Sequence, residues 1–164
     1  MNSNQDIKPI EDILSLLHNL IGISRDGEEG FKQAAEHARA EKLKQVFANY
    51  SHQRHEFVTQ LQELERRFGE SEVDGNGSAA GSLHRAWIGL RTALTSNDDQ
   101  ALLEEAERGE DAAKAAFEAA QRDFAELPVD VRSAIAAQSA QIRQAHDEVR
   151  NLRDSGLYKL PQGS

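Results

Sequence analysis

The sequence predicts a single all-α domain over residues 1–164, built as a bundle of four long helices. Ala, Glu, Leu, Arg and Gln, all good helix formers, dominate the composition, and only 3 of the 164 residues are proline. Apolar residues recur at spacings of three and four over four long segments, as expected for helices that bury one face. Runs of β-branched residues, which would favour strands, are absent from the sequence.

The first predicted helix extends from about residue 6 to about residue 38. Asp6 is a favourable N-cap, and the apolar stripe, which includes the polar Ser24 and Glu28, continues to Ala38. Gly22, Gly27 and Gly30 fall inside this helix and lower its intrinsic stability by about 1 kcal/mol each relative to alanine. They indicate close helix–helix contact or, alternatively, a bend or break near Gly27.

The second predicted helix covers about residues 40–68, and Gly69 then provides a C-terminal stop. A loop rich in Gly, Ser and Asp follows at residues 70–82, and a short helix is predicted at 83–94. Trp87 lies on the apolar face of that short helix, where it caps one side of the bundle or, alternatively, forms an oligomer contact.

The third and fourth long helices form a second hairpin. The third covers about residues 98–124 and the fourth about residues 128–154. The turn between them is predicted at residues 127–128, where proline interrupts the helix. Gly156 ends the fourth helix, and residues 157–164 form a tail.

The connection at residues 70–97 is long enough to cross the whole bundle. A helix of about 28 residues is about 42 Å long at 1.5 Å per residue. The connection contains a short helix about 18 Å long, and its other residues, when extended, add about 3.3 Å of length each. The second and third long helices should therefore run parallel, which is the connectivity of a ferritin-like four-helix bundle.

Each long helix carries one polar residue on its apolar stripe: Glu28, Arg54, Glu110 and His146. Within each hairpin the two polar residues are about equally distant from the turn, so they should face each other. A bundle core excludes such groups unless they are paired or bind something. Either Arg54 neutralises Glu28 and Glu110 in a buried network that His146 completes, or the carboxylates and the imidazole bind a metal such as iron, manganese or zinc.

Further candidate ligands lie on the second and third helices. His52 and His55 have the i,i+3 spacing that can bind a metal, although their place at the edge of the stripe favours solvated side chains. Glu107 lies three residues before Glu110 and could complete a paired-carboxylate site. The acidic run that contains both, with Glu104, Glu105 and Asp111, is more typical of a solvated helix face.

Composition and motifs exclude several classes of function. The formal net charge of −9 argues against a nucleic acid or an anionic membrane as partner. The chain has no cysteine, so disulfides, thiolate metal sites and cysteine nucleophiles are excluded. Neither a signal-peptide pattern nor an apolar run of about 20 residues is present, and we therefore expect a soluble cytoplasmic protein.

The chain resembles a bacterial family of ferritin-like four-helix-bundle proteins of unknown function. Four segments carry the resemblance: LLHNLIGISRDGEEGFKQAAE (16–36), AGSLHRAWIGLRTAL (80–94), LLEEAERGEDAAKAAFEAA (102–120) and QIRQAHDEVRNLRD (141–154). The resemblance implies a ferritin-like bundle but no established activity.

The wider ferritin-like group implies a metal-ligand set that this chain matches only in part. Glu28 can stand for the glutamate of the first helix, and Glu110 or Glu107 for that of the third. The second helix has Arg54 and no Glu-x-x-His, and the fourth has His146 preceded by Arg143 where glutamate would stand. Two of the four bridging carboxylates are missing, which argues against di-iron oxidase chemistry.

Two functional hypotheses follow. The first is a non-catalytic ferritin-like bundle, for example a stress-associated accessory protein that acts through its surface on an unknown protein partner. The second is a protein or oxidase that binds iron or manganese through Glu28, Glu107, Glu110 and His146. In either case we expect a homodimer, the commonest oligomer.

Overall fold

The computed structural model describes residues 10–69, 87–123 and 126–160, and all regular secondary structure within these residues is α-helical. None of the helices described there is both long enough and apolar enough to cross a membrane. The helices are α1 (Ile10–His37), α2 (Glu41–Arg67), α3 (Leu90–Thr95), α4 (Asp99–Asp123) and α5 (Val129–Asp154).

The ends of the long helices follow local stop signals in the sequence. Gly69 and Gly156 lie just beyond α2 and α5 and have φ values of 88° and 75°, the left-handed conformation that glycine adopts most easily after a helix. Pro128 is the N-cap of α5. The predicted start of the first helix near Asp6 lies outside the described residues, as does the whole of the predicted loop at 70–82.

Helix α1 runs unbroken through its glycines, so the alternative of a break near Gly27 is wrong. A Cβ atom on Gly30 would lie 2.6 Å from the ring of Trp87, and one on Gly27 would lie 3.2 Å from the side chain of Arg54. These glycines therefore allow close contact between helices at the cost of helix propensity.

The described residues form two apolar core clusters, stacked along the bundle axis. The first cluster combines the N-terminal half of α1 with the C-terminal half of α2, the C-terminal half of α4 and the N-terminal half of α5. The second combines the opposite halves of the same helices with Trp87 and α3. Helices α1 and α2 are therefore antiparallel, α4 and α5 are antiparallel, and α2 and α4 run parallel, as the long connection predicts.

The short helix α3 docks on the bundle through an aromatic contact. Trp87 and Leu90 are buried, and the Trp87 ring meets the ring of Phe31 edge to face at a centroid distance of 5.2 Å. A Cβ atom on Gly109 would lie 2.4 Å from the Trp87 ring, so Gly30 on α1 and Gly109 on α4 form the notch that receives it.

Helix α3 begins later than the predicted residue 83. Residues 87–89 form a turn, and residues 83–86 lie outside the described part of the chain. The buried carboxylate of Glu105 accepts a hydrogen bond of 2.9 Å from the backbone N–H of Gly89 and so caps the start of α3. The cap comes from another helix, which explains why the local sequence does not mark the boundary.

Candidate functional site at the centre of the bundle

A buried ion pair joins α2 to α4 between the two apolar clusters. Arg54 is 1% exposed and Glu110 is 0% exposed. The guanidinium donates two parallel hydrogen bonds to the carboxylate, Nη1 to Oε1 at 2.5 Å and Nη2 to Oε2 at 2.6 Å. This fork geometry uses the strongest side-chain hydrogen bonds available, which is the condition for keeping two charges in a core.

Aromatic rings and a glycine complete the environment of Arg54. Its Cζ atom lies 5.5 Å from the centroid of Phe31 and 5.6 Å from that of Phe57, distances at which a cation is attracted to the ring face. Its Nε donates to Oε1 of Gln53 at 3.4 Å. Gly27 of α1 faces the guanidinium. At the height of Arg54, α1 therefore makes room for the guanidinium and supplies no carboxylate.

The prediction that Glu28 joins the buried layer is wrong. Its side chain is 31% exposed, and its Oε1 lies 2.9 Å from Nδ1 of the largely exposed His55. The buried face of α1 steps from Ser24 to Gly27 and then to Phe31. A glycine carries no apolar side chain, so a stripe drawn from hydrophobicity passes through Glu28 instead.

His146 is buried at the seam between α4 and α5, where carboxylates surround it. Its Nε2 lies 2.7 Å from Oδ1 of Asp111 and 3.9 Å from Oε1 of Glu107, while its Nδ1 lies 3.2 Å from Oδ1 of Asp147. The hydrogen bond with His146 lowers the pKa of Asp147 below its ordinary value. The predicted network in which His146 joins Arg54 and Glu28 is therefore replaced by a separate cluster.

Glu107 links this cluster to a cation on α5. It is 8% exposed, and its Oε2 contacts Nη1 of Arg153. Arg153 also donates from Nε to Oδ1 of Asp154 at 2.9 Å. Glu107, Asp111 and His146 together present ligand atoms that all lie within 4.8 Å of one another.

The acidic run on α4 is only partly the solvated face that its sequence suggests. Glu104 and Asp111 are exposed, whereas Glu105, Glu107 and Glu110 are buried. Each buried carboxylate has its own cationic or N–H partner on another element, which a run of like charges in the sequence does not reveal.

The other described histidines lie near the surface or at the edge of the bundle, as their places in the sequence indicate. Nε2 of His52 lies 3.2 Å from Oε1 of Glu56, and His52 is 74% exposed. Nε2 of His18 lies 3.4 Å from Oε2 of Glu65. His84 lies outside the described residues.

Two polar contacts near the ends and centre of the bundle were not predicted from the sequence. Tyr50 donates a hydrogen bond of 2.8 Å to Oε1 of Glu148, and burial, followed by this hydrogen bond, raises the pKa of the Tyr50 hydroxyl above its ordinary value. Asp99 accepts hydrogen bonds from the backbone N–H groups of Arg39 and Ala40 at 2.8 and 2.9 Å. Its carboxylate thereby ties the start of α4 to the turn between α1 and α2.

The two polar centres offer different chemistry. Both oxygens of Glu110 accept hydrogen bonds from Arg54, so a metal ion that approached them would be repelled by the positive guanidinium. The seam cluster offers one imidazole nitrogen and two carboxylate oxygens, and Asp111 is 62% exposed, which leaves it accessible to solvent.

Comparison with known proteins adds a family assignment without an activity. A family model described as a domain of unknown function, DUF2383, matches residues 12–123, about two thirds of the chain. The matched range covers Arg54 and the whole acidic run and ends at the last residue of α4, so His146 lies beyond it. No curated protein matches the chain.

Proposed function

This chain belongs to the DUF2383 family, which is defined by a domain of unknown function, and we propose that it is a non-catalytic ferritin-like bundle protein. Its centre holds a structural ion pair in place of a dinuclear metal site. On this proposal the bundle is a scaffold and performs no oxidase chemistry.

The order and direction of the helices support the ferritin-like part of the proposal. Two antiparallel hairpins pack so that α2 and α4 run parallel, which requires a connection that crosses the bundle. Residues 87–95 supply part of that connection, with Trp87 and α3 packed on the outside of α1 and α4.

The single observation that carries the non-catalytic part is the bidentate pair of Arg54 and Glu110. Dinuclear sites in ferritin-like bundles draw carboxylates from all four helices toward the axis. At that place this chain has a guanidinium whose positive charge repels a metal cation and whose donors occupy both oxygens of Glu110.

The other positions of such a ligand set also support the proposal. Glu28 of α1 is turned toward the surface and paired with His55. On α5 the residue three before His146 is Arg143, which is 60% exposed and lies 3.5 Å from Glu118. Glu110 is thus the carboxylate of such a set that lies at the bundle centre, where it is paired with Arg54, whereas Glu28 is directed toward the surface and position 143 has no carboxylate.

Oxidation of ferrous iron tests the proposal. The full chain is mixed with Fe²⁺ without oxygen and then exposed to air, while oxygen consumption and ferric absorbance are followed. We expect a rate equal to that of protein-free buffer, with an active ferritin-like oxidase as the positive control. Faster oxidation that disappears in the Glu110→Gln variant would overturn the proposal, because Glu110 would then be a metal ligand.

A bundle without chemistry in its core acts through its surface, and we propose that the acting species is a homodimer. Sedimentation equilibrium of the full chain at micromolar concentration measures this directly. A species of only 18.2 kDa would contradict the dimer and leave the assignment of the core unaffected.

A further inference from the structure

Both ring nitrogens of His146 face carboxylate oxygens, which a neutral imidazole cannot satisfy. Nε2 lies 2.7 Å from Asp111 and Nδ1 lies 3.2 Å from Asp147. A neutral ring has one N–H donor and one lone pair, so one of these two contacts would set a lone pair against a carboxylate oxygen. A metal ion between Nε2 and Asp111 would resolve this conflict, because Nδ1–H could then donate to Asp147 while the Nε2 lone pair binds the ion.

Carboxylates slightly outnumber cationic side chains around His146, which favours binding of a cation there. His146 itself is 6% exposed, so solvent screens these interactions weakly. Glu107, Asp111 and Asp147 lie against the ring, Asp154 pairs with Arg153, and the nearby cations are Lys114, Arg150 and Arg153.

We propose that Glu107, Asp111 and His146 bind a single divalent transition-metal ion of the zinc or manganese class at the α4–α5 seam. Glu107 and Asp111 are four residues apart and therefore project from the same face of α4. His146 reaches them from α5, and one imidazole with two carboxylates is a donor set that suits these ions. This site uses none of the atoms of the Arg54–Glu110 pair.

Movements of up to about 1.4 Å would bring the three ligand atoms, which lie within 4.8 Å of one another, to coordination distance. A tetrahedral ion with bonds of about 2.1 Å requires ligand atoms about 3.4 Å apart. The contact of His146 with Asp111 at 2.7 Å would have to open by about 0.7 Å, and that with Glu107 at 3.9 Å would have to close by about 0.5 Å. Rotation of the exposed Asp111 side chain is sufficient for the first change, and Asp111 also gives the ion a path from solvent.

Arg153 competes with the metal for Glu107. Its Nη1 contacts Oε2 of Glu107, and its guanidinium is 30% exposed, so it can move into solvent when an ion arrives. Removing the Arg153 charge should therefore strengthen metal binding, whereas a merely structural role of the cluster predicts no gain.

Calorimetric titration of the metal-free full chain with Zn²⁺ and, separately, Mn²⁺ tests the proposal. We expect one bound ion per chain for at least one of the two metals. Loss of supporting groups around metal sites costs about 10–100-fold in affinity, so loss of a ligand in Asp111→Asn or His146→Gln should cost about 100-fold. Arg153→Gln should bind more tightly than the natural sequence.

The matched control is His55→Gln, which removes an exposed histidine that contacts a single carboxylate. It should bind metal as the natural sequence does. Circular dichroism of each metal-free variant reports folding, and Asp111→Asn carries the test if His146→Gln does not fold, since Asp111 is on the surface. Absence of binding in the natural sequence, or binding that Asp111→Asn leaves unchanged, would overturn this site without affecting the iron-oxidation result.

Discussion

Replacing Arg54 with methionine should destabilise the protein by about 3–5 kcal/mol, because it leaves Glu110 as an unpaired carboxylate in the core. Methionine follows the path of the arginine stem between Phe31 and Phe57, so little packing volume is lost. For a domain of this length, 1 kcal/mol changes the melting temperature by about 2–4 °C. The expected decrease is therefore about 6–20 °C by circular dichroism.

The exposed pair of Arg67 and Asp130 provides a matched control. Its N–O distance of 2.6 Å is close to those of the buried pair, but its side chains are 57% and 46% exposed. Arg67→Met should therefore cost less than about 1 kcal/mol. Similar losses in the two variants would refute the idea that burial makes the central pair important.

The double variant Arg54→Met with Glu110→Leu shows whether the instability of Arg54→Met comes from the unpaired Glu110 carboxylate or from the loss of the ion pair itself. Replacing both members of a buried pair with apolar residues is often neutral or stabilising by about 1–4 kcal/mol. The double variant should therefore recover most of the stability that Arg54→Met loses. If it is as unstable as the single variant, stranding of Glu110 is not the cause of the loss.

Three further predictions concern contacts elsewhere in the bundle. Gly109→Ala should lower the free energy of unfolding in urea by about 1–2 kcal/mol, because its Cβ would lie 2.4 Å from the Trp87 ring. A gain in stability would contradict the close packing of Trp87 against Gly109. Asp99→Ala should lose about 1–2 kcal/mol in thermal melts, because two backbone N–H groups lose their acceptor, and an unchanged melt would contradict that role. Burial and the hydrogen bond to Glu148 raise the pKa of Tyr50 in the folded state, so its contribution is complete below the ordinary tyrosine pKa of about 10 and is lost as the pH rises above it. The stability advantage over Tyr50→Phe should therefore be complete at about pH 8 and smaller at about pH 11, and an advantage that is equal at the two pH values would contradict this role of Tyr50.

Most of the fold could be predicted from the sequence because its determinants are local. Apolar residues at spacings of three and four mark each long helix, and Pro128, Gly69 and Gly156 mark three of the ends. The start of α3 could not be predicted in this way. It depends on the Glu105 carboxylate, which comes from α4 to cap Gly89, a contact sixteen residues apart in sequence.

The site could be predicted less completely because pairing depends on how the hairpins dock. Arg54, Glu110 and His146 stand out as polar residues on apolar stripes, and all three are buried. Their partners do not follow from helix periodicity. Asp111 lies on the exposed flank of α4 and contacts His146 only because α5 packs there. The inward-facing residue of α1 at the level of Arg54 is Gly27, which has no side chain, so the hydrophobic pattern points to Glu28 instead.

An anomalous-scattering map of the protein crystallised with manganese shows directly whether Arg54 or a metal ion binds Glu110. If the bundle centre is a structural ion pair, the Arg54 guanidinium will be seen within hydrogen-bond distance of the Glu110 carboxylate. No anomalous peak will then lie at coordination distance from Glu110. A peak bonded to Glu110, with Arg54 displaced, would contradict the claim and make the bundle centre a metal site.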